Sequence, residues 1–256
     1  MRNVVPIFKK EMKSYFYSPI AYVVLTIFLA LTGYLFFTNF AFFALISRQA
    51  VQNPQIMRQL SVTDSVFTPL LGNMGIILLL MIPLLTMRLF AEEKKQGTME
   101  LLFTYPLRDG EVLMGKFLAC LAVYAIMLAL TALYPLLMTV FGRPEPGPIL
   151  SGYLGLLLLG AAFIAMGLLA SSLTQNQIVA AIITFGVLLL IWVIGWASNF
   201  LGPTAGKILS HASLIEHLNN FSRGLINTKD VVYYLNFSAV CLFLTLRALE
   251  SHRWKG

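Results

Sequence analysis

The chain alternates long apolar runs with short polar segments, and the apolar runs are long enough to cross a membrane. A charge at the centre of a bilayer costs about 2.5 to 3.5 kcal/mol on insertion scales, so charge-free intervals mark the candidate spans. The longest such interval, 146–206, is too long for one helix, and its polar cluster at 171–177 predicts a tight turn between two spans. Six spans result, at about residues 21–46, 66–88, 117–141, 149–171, 178–198 and 231–249.

Composition agrees with this pattern. Hydrophobic residues make up 58% of the chain and charged residues only 11%, and the mean hydropathy is +0.80. These values lie outside the range of soluble proteins. We therefore expect an all-α integral membrane protein in which residues 1–256 form a single transmembrane domain.

Two further segments have helical periodicity outside the spans. In residues 1–18, apolar positions recur every three or four residues while Lys9, Lys10 and Lys13 project from the other side. This predicts an amphipathic interfacial helix, although a basic flank that only orients the first span would look the same. Residues 199–230 predict one or two short helices at the outer interface, either flat or re-entrant.

The basic residues predict the orientation, because Lys and Arg are retained on the cytoplasmic side. In the six-span arrangement most of the 18 basic residues share one side with both termini and with segment 89–116. That side holds Arg2, Lys9, Lys10, Lys13, Arg88, Lys94, Lys95, Arg108, Lys116, Arg247, Arg253 and Lys255; the other holds Arg48, Arg58, Arg143, Lys207, Arg223 and Lys229. Both termini and segment 89–116 are therefore predicted to be cytoplasmic. Topology also accounts for the net charge of +7, so we expect no nucleic-acid partner.

Three motifs suggest chemistry but fail on context. Residues 110–116 match GxxxxGK, yet Phe117 stands where a phosphate-binding loop has Ser or Thr, and no strand precedes the match. The pair Glu92 and Glu93 resembles the paired glutamates of an intramembrane enzyme, but His211 and His217 are predicted to lie on the opposite side. His211, Glu216 and His217 lack the i, i+4 spacing of a metal site and are expected to be solvated. We expect no catalytic residue and no metal site.

The segment EEKKQGTMELLFTYPLRDGEVLMGKFLA, residues 92–119, closely resembles the signature of permease subunits of type-2 ABC transporters. The resemblance rests on the glutamate pair after span two, on the GT, TYPL and GKF elements, and on the basic N-terminus KKEMKSYFYSPIAY. It is strongest to the gliding-motility and nitrous-oxide-reductase-maturation permeases.

This resemblance implies a transport subunit with a separate ABC ATPase that binds ATP and Mg, so the chain itself would need no cofactor and would not be an enzyme. It also implies a homodimer or a heterodimer with a related permease, a prokaryotic inner membrane, and use as an exporter of unknown substrate. Segment 89–116 would carry a coupling helix, begun by the break at Gly97 and a cap from Thr98 and ended by Pro106. The expected ATPase-coupling residues are Glu92, Glu93, Gly97, Thr98, Glu100 and Leu101. The alternatives are the enzyme using Glu92 and Glu93, and a signalling module that binds an ATPase without moving cargo.

Overall fold

The computed structural model describes residues 3–50, 61–98, 108–141, 144–197 and 213–253, and every regular element in these ranges is a helix. The helices are α1 Val4–Tyr17, α2 Pro19–Ala50, α3 Thr68–Thr86, α4 Arg88–Lys95, α5 Asp109–Thr131, α6 Leu133–Phe141, α7 Pro146–Leu173, α8 Gln177–Ala197, α9 Leu214–Ser222 and α10 Thr228–Arg253. A single π-helical turn, Thr63–Phe67, runs directly into α3.

Six helical stretches are long and apolar enough to cross a membrane. They are Pro19–Gln49, Thr63–Lys95, Asp109–Val140, Pro146–Leu173, Gln177–Gly195 and Thr228–Ser251. The predicted class, an all-α membrane protein with six spans, is confirmed. Two of the stretches combine two helices: α4 continues α3 after a turn at Met87, and α6 continues α5.

Helix α7 lies at the centre of the bundle and packs against α3, α5, α8, α9 and α10. Its small residues allow this approach. A side chain at Gly160 would collide with the ring of Tyr124, and one at Gly167 would collide with Thr86. Gly160 and Gly167 therefore pack inside the bundle of one chain.

The bundle has two ends because the spans alternate in direction. We call one the connector end: it carries α1, α4, the first turns of α5 and the last turn of α7. The opposite end carries the π-helical turn, the first turns of α7, and α9 with the start of α10.

Helix boundaries differ from the sequence expectation mainly at α5. The third span was expected from 117, whereas α5 begins at Asp109, so residues 109–116 of the predicted connector are already helical. Acidic side chains at Asp109 and Glu111 favour a helix start because they face the positive end of the helix dipole. At the N-terminus, α1 ends as expected: Ser18 is extended and Pro19 starts α2.

Candidate functional site: a buried ion cluster beneath the connector helix

The N-terminus of the connector helix α4 is capped by a side chain from another helix. Its own N-cap residue, Met87, offers no capping side chain. The hydroxyl of Ser171 in α7 accepts hydrogen bonds from the backbone N–H groups of Phe90 and Ala91, both at 3.0 Å, and donates to the carbonyl of Met87 at 2.9 Å. These bonds satisfy groups that a helix terminus leaves unpaired, and they fix α4 to the central helix.

The C-terminal half of α4 also contacts the end of α7. The ammonium of Lys94 donates to the carbonyl of Ser172, at the negative end of α7. Gly97 has φ of +68°, a backbone conformation that favours glycine, and the helix stops there. The hydroxyl of Thr98 donates to the carbonyl of Glu93 at 3.3 Å. Gly97 and Thr98 thus close α4.

Lys116 is the centre of a buried ion cluster between α1, α4 and α5. Only 1% of this residue is exposed. Its Nζ lies 3.0 Å from Oε1 of Glu11, 2.9 Å from Oε1 of Glu93 and 2.8 Å from the carbonyl oxygen of Leu89. The contacts with Glu11 and Leu89 are hydrogen bonds and that with Glu93 is an ion pair, so the buried charge is compensated by two carboxylates and a carbonyl.

Gly115 allows the helix carrying Lys116 to approach α1. A side chain at this position would overlap Ile7, and the carbonyl of Val4 lies just behind. Gly115 therefore allows α5 to contact α1 closely, and the adjacent Lys116 forms an ion pair between the same two helices. The GxxxxGK match is helical here, within α5, and its lysine is bound to carboxylates, so it does not form a phosphate-binding loop.

Lys10 closes the cluster from the solvent side. Its Nζ lies 3.1 Å from Glu93 and 3.5 Å from Glu11. Burial lowers the pKa of Lys10, but the carboxylates of Glu93 and Glu11 outweigh it, so the pKa is raised above its ordinary 10.5. The contribution of the Lys10 charge to stability is therefore fully present below that ordinary value and is lost as pH rises through the raised pKa.

A cavity of about 290 Å³ opens beside the cluster, between α1 and α4. Its lining is polar and includes Ser14, Arg88, Glu92 and Gln96 as well as the cluster residues. The guanidinium of Arg88 lies over the ring of Tyr15, 4.8 Å from its centroid. At the connector end, α4 therefore borders an open, polar cavity.

The predicted coupling residues fall into three groups. Glu92 is partly exposed and accepts a hydrogen bond from Gln96 at 3.3 Å, so it remains accessible to a partner. Glu93 is engaged inside the chain, and Gly97 and Thr98 shape the end of α4. Glu100 and Leu101, and with them the coupling helix expected before Pro106, lie outside the described residues.

Sequence reasoning missed the partners of Glu93. It placed Lys10 with Lys9 and Lys13 on the solvent face and assigned no role to Glu11. The missed signal was Glu11 itself: Glu11 and Tyr15 lie one turn apart on the apolar face of α1, and both are buried. An acid on the apolar face of an amphipathic helix requires a buried cation, which Lys116 supplies.

A second polar cluster lies at the opposite end of the bundle and corrects the expectation that His217 is solvated. His217 is buried, with Nδ1 2.6 Å from Oδ1 of Asp230. Asn220 donates to Oδ2 of the same carboxylate at 2.9 Å, and the His217 ring stacks on Tyr233 with centroids 4.2 Å apart. The residues are buried because α9 packs into the bundle against α7.

A helical bundle of six spans, with a short connector helix attached to α1, α5 and α7, defines a multi-pass membrane protein. The chain belongs to the ABC-2 family of transporter proteins, whose model matches residues 5–246. No curated protein sequence matches it significantly. The chain is thus a permease component of an ABC transporter, and this family membership implies partnership with an ABC ATPase subunit.

Proposed function

We propose that this permease couples ATP hydrolysis by a separate ATPase subunit to export of a substrate across a prokaryotic inner membrane, with both termini and the connector end in the cytoplasm. ATP and Mg would be bound by the ATPase. A second permease, identical or related, would complete the pathway. The distribution of basic residues supports this orientation, and the resemblance to gliding-motility and nitrous-oxide-reductase-maturation permeases remains a prediction about relatives.

One observation carries the coupling proposal: α4 is attached to α1, α5 and α7 at once. Glu93 meets Lys116 of α5, which also holds Glu11 of α1, while Ser171 of α7 caps the other end of α4. A displacement of α4 by the ATPase would therefore be transmitted to the interfacial helix α1 and to the third and fourth spans together.

Such transmission works as a population shift. An ATPase that binds the connector differently before and after it closes on ATP favours one arrangement of the bundle over another. Of the two adjacent glutamates, Glu92 is accessible and would contact the ATPase. Glu93, which is paired with Lys116, would transmit the movement to the bundle. Neither is assigned a catalytic role.

The alternative of an enzyme using Glu92 and Glu93 receives no support from the positions of these groups. Glu93 is neutralised by Lys116 and Lys10, and His217 lies at the opposite end of the bundle, paired with Asp230. A general base requires a carboxylate free to accept a proton from substrate.

The test is co-purification in mild detergent with candidate ABC ATPases from the same source, followed by ATPase assays in vesicles. We expect the wild type to retain and stimulate one ATPase. Glu92→Ala should weaken this complex because it removes a charge from the accessible face of α4. Lys229→Ala, an exposed change at the opposite end, is the matched control.

A folded wild-type protein that retains no ATPase would contradict the proposal. Equal loss of binding in the Glu92 and Lys229 variants would argue against contact through α4. An ATPase that is bound and regulated while no candidate solute crosses the vesicle membrane would favour the signalling module.

A further inference from the structure

An apolar groove of about 230 Å³ lies between the end of α1, the first turns of α2 and the middle of α5. Its walls are Tyr15 and Phe16 of α1, Ala21, Tyr22 and Leu25 of α2, and Val123, Ile126 and Leu130 of α5. Along α5, Val123 to Leu130 span about 10 Å at 1.5 Å per residue. The groove is therefore elongated along a membrane span.

The mouth of the groove is aromatic. Phe16 and Tyr22 face each other edge to face, with ring centroids 6.4 Å apart, and they are 48% and 52% exposed. Tyr17 beside them is 86% exposed. Exposed aromatic rings of this kind are typical of the interface between headgroups and acyl chains.

Two cations lie on the water side of that mouth. Lys9 and Lys13 are exposed and one turn apart on α1, and Phe16 follows Lys13 by three residues on the same face. Lys10 is paired with Glu93, but Lys9 and Lys13 have no carboxylate within salt-bridge distance in the part of the chain that the structure describes. One end of the site is thus cationic and the other apolar.

We propose that this groove binds one anionic glycerophospholipid from the leaflet in which α1 lies. One acyl chain occupies the groove along α5, between α1 and α2. The phosphate lies against Lys9 and Lys13, whose charges a zwitterionic lipid would satisfy less well. The proposal requires only that the chain spans a membrane and holds whether or not an ATPase is coupled.

The first experiment measures lipid retention by native mass spectrometry. Protein from vesicles of equal phosphatidylglycerol and phosphatidylethanolamine should retain phosphatidylglycerol preferentially, one molecule per chain. Lys9→Gln with Lys13→Gln should lower that preference about tenfold. Arg223→Gln with Lys229→Gln, which removes two exposed charges at the opposite end, should leave it unchanged.

The second experiment identifies the occupant directly. A photo-reactive phenylalanine analogue replacing Ile126, which is 40% exposed in the groove wall, should form an adduct with the mass of phosphatidylglycerol. The larger side chain of Val123→Phe should reduce retention by filling the groove.

Equal phosphatidylglycerol preference in the lysine variant and its control would overturn the proposal. So would adducts at Ile126 dominated by phosphatidylethanolamine or by a second copy of the chain, which would make the groove an ordinary lipid contact or a protein interface.

Discussion

The two ends of the bundle each bury a cluster of polar or charged side chains, but the two clusters connect the chain at different scales. At the connector end, Lys116 and Glu11 are 105 residues apart and belong to different helices around α4. At the opposite end, His217 and Asp230 are 13 residues apart on consecutive helices. The first cluster joins three distant elements, whereas the second closes a local hairpin of α9 and α10.

This difference indicates which end of the bundle can transmit a movement of the connector helix to the spans. A shift of α4 must move α1 and α5 or break contacts with a buried charge, and breaking them is costly. A shift of α9 strains its packing against α7, α3 and α8 and the bond between His217 and Asp230 of α10. We expect the connector-end cluster to matter for coupling and the opposite-end cluster to matter for holding α9 in the bundle.

The largest effect is expected from Lys116→Met. It leaves the buried Glu11 and the half-buried Glu93 with only Lys10 as a cation, and breaking a buried pair by removing one partner costs about 3 to 5 kcal/mol. Thermal unfolding in detergent should show the loss. Lys95→Met, on the exposed side of α4, is the control and should change stability little.

A triple variant separates the effect of the cluster on stability from its effect on coupling. Lys116→Met with Glu11→Gln and Glu93→Gln should recover much of the stability, because no buried carboxylate then lacks a partner. If our interpretation is correct, stimulation of the ATPase should not recover with it. Recovery of both would make the cluster purely structural.

A smaller effect is expected from His217→Ala. Asp230 keeps the hydrogen bond from Asn220 but loses that from His217, which costs about 1 to 3 kcal/mol for a buried polar group. Unfolding should begin at the opposite end, seen as faster hydrogen exchange in α9, while ATPase binding persists. Asn219→Ala, at an exposed position two residues further along α9, serves as the control. Loss of ATPase binding would remove the contrast between the ends.

The smallest effect is expected from Ser171→Ala, which removes the cap of α4 at a cost of about 1 kcal/mol. Ser172→Ala is a closely matched control. The hydroxyl of Ser172 bonds only within its own helix, to Leu169, and its carbonyl still receives Lys94. Hydrogen exchange at Phe90 and Ala91 should rise in the first variant alone; equal protection in both would show that α4 does not depend on this cap.

The six spans and the amphipathic α1 could be predicted because both depend on local sequence. Transfer of apolar side chains into the bilayer adds residue by residue, and helical periodicity is visible within a few turns. The turn near Ser171 and the helix break at Gly97 could also be predicted, because polar clusters and glycine affect the backbone of their own segment. Within the predicted coupling set, Glu92 and Gly97 lie where a partner could reach α4.

The partners of the charged residues could not be read in the same way. Which cation neutralises Glu93, and whether His217 meets water or Asp230, depend on helices that converge from distant parts of the chain. Close approach of α1 to α5 at Gly115 is what brings Lys116 to Glu11. The sequence alone determined a six-span membrane bundle through additive local energies. Only the tertiary structure decided which buried charges compensate one another, because that energy depends on distances of a few ångströms between residues far apart in sequence.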